Sequence, residues 1–279
     1  SDAPSSLSIN QRLPQGLDSN GLQRLLPNLA VQWHLDVANI QSEHTEAGFA
    51  VLSLSRAGVR SILARSLLSQ GRLQYLQGYE RIDGYLQSWL LNNKAYIADK
   101  WSEKVVAPQV NELIFAEQEL LIPLLDWLES QRHSASSSEE PLAEAQAEKL
   151  RELAAMASLI DYRLLHYRHI DSSKEYLILT ESQQQPSRYW GTYIFRLGQA
   201  SPFVIEIPRP MYEINTFEYG AQLFERLDAQ VLMVAGSHPD ANQSGISDVL
   251  DVDNKASLFN LIHQSVVKRL APVPVVQVR

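Results

Sequence analysis

Phe203 to Gly236 reads FVIEIPRPMYEINTFEYGAQLFERLDAQVLMVAG, and this stretch decides the fold. FVIEIP and QVLMVAG are short, rich in β-branched residues and bounded by turn formers, as strands are. Between them NTFEYGAQLFERLDA carries apolar residues at helical spacing behind Asn215 or Thr216, either of which suits an N-cap. A second helical run, ASLFNLIHQSVVKRL, then leads to the strand-like VPVVQVR (273 to 279). Two successive strand–helix–strand units predict a parallel or mixed sheet with crossover helices, an α/β (or α+β) fold.

Working back towards the N-terminus, EYLILT (175 to 180) and RYWGTYIFRL (188 to 197) read as two more strands. Upstream of them, LAEAQAEKLRELAAMASLIDYRLLHYRHI behind Pro141 is dominated by helix formers and predicts one long helix closed by Asp171, Ser172 and Ser173. His166 and His169, three apart on that helix, are then assigned to its C-terminal end, where a cation meets the dipole.

The Ser-rich stretch HSASSSEEP reads as a linker. Before it, apolar residues recur at helical spacing from Val59 to Leu68, from Tyr75 to Leu90 and from Asn111 to Gln131, with a bend expected at Pro123. Trp89, Trp101 and Trp127 are expected to staple these helices as core residues. GFAVLSLS (48 to 55) alternates like a strand, and the first 45 or so residues read as an irregular lead-in. The resulting division is a mainly helical part over residues 1–138 and an α/β part over 139–279. The strand-like end at Arg279 and the absence of an initiating Met lead to the expectation that the chain is a piece of a longer protein.

Bulk properties narrow the function. The 279 residues carry a formal net charge of -8 with no dense Lys/Arg cluster, so a nucleic-acid partner is not expected. No apolar run approaches the roughly 18 residues of a membrane span. With no cysteine in the chain, disulfides, thiolate catalysis and Cys-ligated metals are excluded. That absence suits an exported, periplasmic protein. Without a P-loop, GxGxxG, GxSxG or HExxH motif, no nucleotide cofactor is expected, and serine-hydrolase and zincin chemistry start without support.

Two features carry candidate chemistry. Asp240, Asn242, Ser244, Asp248 and Asp251 occupy positions 1, 3, 5, 9 and 12 of a loop with Gly245 at position 6, the oxygen spacing of an EF-hand-type calcium loop. The same residue types also build ordinary Asx and Gly turns. Position 8, usually apolar, is Ser247. The second feature is a rim at the carboxyl ends of FVIEIP and QVLMVAG, where ligands collect in open α/β sheets. Arg209, Glu213 and His238, the catalytic candidates, would converge there with Asp240. Arg209 suits a substrate carboxylate, Glu213 or Asp240 a general base or metal ligand, and His238 a ligand or proton shuttle. Glu206, inside an apolar strand, needs a partner, for which Arg196 is expected.

The runs WGTYIFRLG and VIEIPRPMYEINTFEYGAQLFERLDAQVLMVAGSHPDANQSG resemble exported bacterial proteins similar to zinc-carboxypeptidase-like amidohydrolases, including the poly-γ-glutamate hydrolase group. The likeness covers about Trp190 to Gly245 and lies in a strand, a Pro-flanked polar loop, and a second strand ending in Ala-Gly before a His-containing loop. It implies a metal-dependent amide hydrolase of the cell envelope acting on a peptide or poly-acidic polymer, with His238 and either Glu213 or Asp240 as zinc ligands. Arg209 stands where a zinc-binding loop would offer His, and the His-x-x-Glu pair of that family is missing. The alternative is a noncatalytic envelope or interaction protein, its aspartate loop stabilised by calcium and its helical half docked on a protein partner.

Overall fold

The structure, a computed structural model, describes residues 7–12, 40–44, 49–54, 79–134, 144–182, 187–212, 214–254, 256–270 and 273–279. It divides into two compact units, Ser1–Gln77 and Gly78–Arg279. In the first, strands β1 (Leu7–Arg12), β2 (Ile40–His44) and β3 (Phe49–Leu54) form an antiparallel sheet in the order β1-β3-β2. The alternation in residues 48–55 is thus a strand, while two further strands lie where an irregular lead-in was expected. The helical pattern expected over Val59 to Leu68 lies outside the described residues.

The second unit is an α/β fold around a mixed seven-stranded sheet. Its strands are β4 (Glu80–Gly84), β5 (Tyr162–His169), β6 (Glu175–Glu181), β7 (Thr192–Arg196), β8 (Ser201–Ile207), β9 (Ala229–Val234) and β10 (Val275–Gln277). They lie in the order β10-β8-β9-β7-β6-β5-β4. β10, β8 and β9 are parallel, as are β4 and β5, and the remaining neighbours are antiparallel.

Helices α1 (Leu86–Asn93) and α5 (Thr216–Arg226) cover one face. Leu86, Leu90, Phe217, Ala221 and Phe224 pack there on Leu165, Ile178, Ile194, Ile205 and Leu232. Each large side chain so buried contributes about 1.5–3 kcal/mol. The other face carries α2 (Val110–Phe115), a π-helical stretch (Ala116–Leu121), α3 (Ile122–Ser134), α4 (Glu144–Leu159) and α6 (Leu258–Arg269). Phe259 of α6 meets Tyr193 there with ring centroids 6.3 Å apart. Helices from residue 86 onward therefore pack in one unit with residues 162–279. The stretch 135–143, which holds most of the Ser-rich linker, lies outside the described residues.

Several local expectations change. Tyr79 to Gly84 was expected to be helical, but Glu80–Gly84 is a strand paired with β5. The long helix ends at Leu159, and Asp161, in a left-handed conformation with φ 58°, turns the chain into β5. As a strand, Tyr162–His169 sends His166 and His169 to opposite faces, so neither serves a helix end. His166 instead meets Glu175 at 2.8 Å. At Pro123 the expected irregularity takes the form of the π-helical turns just before it. A proline ring collides with the carbonyl four residues earlier and has no N–H to donate, and a widened turn relieves both problems.

Glu206 is fully buried, but its partner is not Arg196. Period-2 alternation places Arg196 on the α5 face, where it contacts Tyr176 and the Ala229 carbonyl. Glu206 faces α6 and accepts from His263 Nδ1 at 2.5 Å and from Gln277 Nε2 at 2.9 Å. The hydrogen bond to Glu206 raises the His263 pKa above its ordinary 6.5.

Candidate functional site

β8 runs through α5 to its neighbour β9, whereas β9 runs through α6 back across β8 to β10. The two connections leave for opposite faces, so the loops after β8 and β9 part at a topological switch point, the crevice where open α/β sheets bind ligands. Both loops present polar side chains there.

The β9–α6 loop is fastened to the segment after α1. Ala98 pairs with Ser237 in an isolated parallel bridge. The amides of Ala98, Trp101 and Glu103 donate to the carbonyls of Gly236, Asp240 and Ala241, each at 2.9 Å. Asn242 extends this zipper as a peptide mimic. Its Oδ1 accepts from Val105 N at 3.1 Å, and its Nδ2 donates to the Val105 carbonyl at 3.0 Å.

Gly236 is required at the seam. A Cβ there would lie 2.3 Å from the Tyr189 carbonyl oxygen, and backbone cannot yield as a side chain does. The Ala-Gly ending of the strand is thus explained by close packing. Farther along the loop, the buried Ser247 hydroxyl donates to the Pro239 carbonyl at 2.7 Å and accepts from Asn242 N at 3.0 Å. The Asn254 amide donates to the carbonyls of Ile246 and Asp248. The loop is held by its own polar network.

At the rim, Arg209 and His238 both reach the Tyr212 ring. The guanidinium carbon lies 5.6 Å from its centroid, and the imidazole centroid is also 5.6 Å away. Two residues of the expected catalytic trio are therefore brought together, and the third, Glu213, lies outside the described residues. Arg209 is engaged by Asp248, with Nη2 to Oδ2 at 2.7 Å and Nε to Oδ1 at 3.3 Å. That hydrogen bond raises the pKa of an already charged group.

His238 accepts the Asp240 backbone N–H on Nδ1 at 2.9 Å. Burial lowers its pKa from the ordinary 6.5, so at neutral pH the ring is uncharged and carries its proton on Nε2. Such an imidazole offers a hydrogen-bond donor rather than a lone pair. Neither nitrogen is free to ligate a metal or take a proton from water without breaking the Asp240 contact.

Four of the five expected calcium ligands have separate partners. Asp240 pairs with Lys100 at 3.3 Å, Asn242 with Val105, and Asp248 with Arg209. Asp251 accepts the amide of Asp253 at 2.9 Å, and Ser244 is exposed. Among the described residues no group of three or more His, Asp or Glu is arranged to hold a metal ion.

Trp101 is the residue that sequence reasoning misplaced. Trp127 is buried and Trp89 packs on the core, but Trp101 is 62 % exposed. Its φ of 59° is left-handed, rare for a bulky residue. The Asp240 carbonyl holds its amide, and the Lys100 ammonium lies 5.0 Å from its ring centroid. The signal was its setting, Asp-Lys-Trp-Ser-Glu, with charged residues on both sides. Tyr96, Tyr212, Ile214, Tyr219 and Val252 are further exposed large side chains on segments at this end of the sheet. No family model, curated protein or solved structure matches the chain.

Proposed function

We propose that residues 78–279 form a noncatalytic recognition module whose C-terminal sheet rim, centred on Trp101 and Tyr212, docks a protein partner. One observation carries this reading: a tryptophan held exposed in a strained backbone by the same loop that positions His238. Strain of this kind costs on the order of 1–3 kcal/mol and persists where the surroundings enforce it, commonly at binding sites. Trp, Tyr and Arg are also the residues enriched in interface hot spots.

The polar groups support recognition over hydrolysis. A general base needs a free lone pair near the reacting atom, whereas Arg209, Asp240 and Asp248 are mutually or locally paired and His238 presents N–H. In a bound complex, the Nε2–H of His238 and the arginine edge would receive acceptors from the partner, with Trp101 as the apolar anchor. The competing reading, a zinc-dependent amide hydrolase of envelope peptide or poly-acidic polymer, makes the opposite demand on His238.

A photo-crosslinking amino acid at position 101, compared with one at the exposed Ile170 on the opposite end of the sheet, tests the proposal in the source cells. A discrete protein adduct from 101 alone, lost on Tyr212→Ala, is expected. Turnover of poly-γ-glutamate or cell-wall peptide by zinc-loaded protein, abolished by His238→Ala, would overturn the reading in favour of the hydrolase.

A further inference from the structure

A second feature opens at the same end of the sheet, under the C-terminus of α1. Strand register builds its floor. Arg163 of β5 pairs with Thr180 of β6, and Thr192 of β7 follows in the next register position, with Val234 of β9 beyond it. On this face the apolar core of Leu165, Ile178 and Ile194 therefore gives way, one pleat higher, to a row of guanidinium and two hydroxyls. Above the row is a cleft of about 430 Å³, within the size range of small-molecule sites. Asn93, at the end of α1, reaches down to donate to Thr192 Oγ1 at 2.9 Å, and the two threonine hydroxyls lie 3.1 Å apart. Tyr96 and Tyr189 line the walls.

Two observations mark this as a built site rather than a packing defect. The Arg163 Nε is buried without a hydrogen-bond partner, while Nη1 of the same guanidinium approaches Glu80 at 3.3 Å. A buried donor left unmade costs about 1–3 kcal/mol, a cost the fold carries in a residue that lines the cleft. Tyr189 is held at φ 63°, a second bulky residue in the left-handed region, with Gly236 packed against its carbonyl.

Charge selects the ligand class. Arg163 in the floor repels a cation, whereas Glu181 in the wall and Glu80 beside Arg163 repel an anion. Glu181 is not idle: Oε1 accepts the amides of Arg188 and Trp190, which fixes the wall. A neutral ligand with many hydroxyls is favoured. Vicinal hydroxyls suit a planar guanidinium, which offers N–H donors, and a side-chain amide, which sets an acceptor beside a donor, and aromatic residues in the wall suit the C–H surface of a pyranose ring.

We propose that the cleft floored by Arg163, Thr180 and Thr192 binds a neutral monosaccharide or a terminal sugar residue. The site does not depend on the protein-docking rim. Saturation-transfer NMR and isothermal titration of the intact protein with glucose, galactose, mannose and N-acetylglucosamine test it. At least one is expected to bind, with affinity reduced tenfold or more by Arg163→Met and by Asn93→Ala, the second variant guarding against misfolding of the first. Trp101→Ala should leave sugar binding unchanged, which separates this site from the rim. Absence of binding by all four sugars would overturn the proposal. So would binding of acetate or glutamate in their place, or sugar binding indifferent to both cleft variants.

Discussion

His238 accepts the backbone N–H of Asp240 through Nδ1 at 2.9 Å. This short contact decides what the most conspicuous histidine of the chain can do, because it consumes the one lone pair that a neutral imidazole with Nε2–H possesses. Burial reinforces the choice by disfavouring the charged ring. Zinc binding would require the opposite tautomer and would set two N–H groups against each other. Millimolar zinc or calcium is therefore expected to leave the melting temperature unchanged. An ion present at a hundred times its dissociation constant would add about 2.7 kcal/mol, a shift that differential scanning fluorimetry resolves. A rise of that size, abolished by His238→Ala or by Asp240→Ala, would restore a metal site.

Arg209 and Asp248 join the two loops of the switch point, but they are not energetic equals. Both side chains are partly exposed, and such pairs contribute about 0–1 kcal/mol. Asp248 has a second task, since Oδ1 also accepts the Leu250 amide at 3.1 Å. That hydrogen bond is worth about 1 kcal/mol. Arg209→Ala should cost less than about 1 kcal/mol in urea denaturation, and Asp248→Ala about 1 kcal/mol more. Equal losses would mean that the turn bond contributes nothing measurable.

Glu206 and His263 give a pH dependence with a definite sign. The His263 pKa is raised in the folded state, chiefly by its hydrogen bond to Glu206, so the folded protein holds that proton more tightly than the unfolded chain. The stabilisation is complete below the unfolded value of 6.5 and is lost as pH rises through the raised folded pKa. His238 acts in the opposite sense: burial penalises its protonated form, so it costs nothing above 6.5 and destabilises the folded state as pH falls below that value. The stability difference between wild type and His263→Ala should shrink from pH 5.5 towards pH 8.5 (about one to two units either side of the ordinary histidine value). Removing the histidine also takes a donor from the buried Glu206, which keeps its contact with Gln277 Nε2; that loss of about 1 kcal/mol adds to the pH-dependent part. A difference that grows with pH would reverse the assignment.

The parts of the fold that could be read in advance are those in which local pattern and tertiary environment agree. β8, α5, β9 and α6 announce themselves because β-branched runs alternate with amphipathic helices. Residues 160–170 did not, because β5 lies inside the sheet with both faces covered, and a doubly buried strand shows no alternation. Leu164 and Leu165 in succession then extend the helical pattern of α4. The partner of Glu206 was missed for a different reason. Arg196 is near in sequence but lies on the opposite face of the sheet, and His263 becomes adjacent when the second crossover folds back. At the rim, the meeting of Arg209 and His238 follows from strand order. The commitments of Asn242 to Val105 and of Asp248 to Arg209 depend on loop geometry that residue spacing does not encode.

Gly236 offers the sharpest test of how the β9 end supports both the rim and the cleft. A methyl group at this position would sit 2.3 Å from the Tyr189 carbonyl oxygen and 2.6 Å from the Gly191 nitrogen. Both are backbone atoms, so the 189–191 segment or the end of β9 must move. Overpacking of this kind costs about 1–3 kcal/mol. Gly198 supplies the control. Its φ is +71°, but nothing lies within 4 Å of the place a Cβ would take, so Gly198→Ala should cost only the roughly 1 kcal/mol of a left-handed L-residue. Gly236→Ala should therefore destabilise more than Gly198→Ala. It should also shift the amide resonances of Tyr189, Gly191 and Trp101 together, since the Ala98 amide bonds to the Gly236 carbonyl at 2.9 Å. Changes confined to residues 235–237 would show that the rim and the cleft wall are not mechanically joined through this glycine.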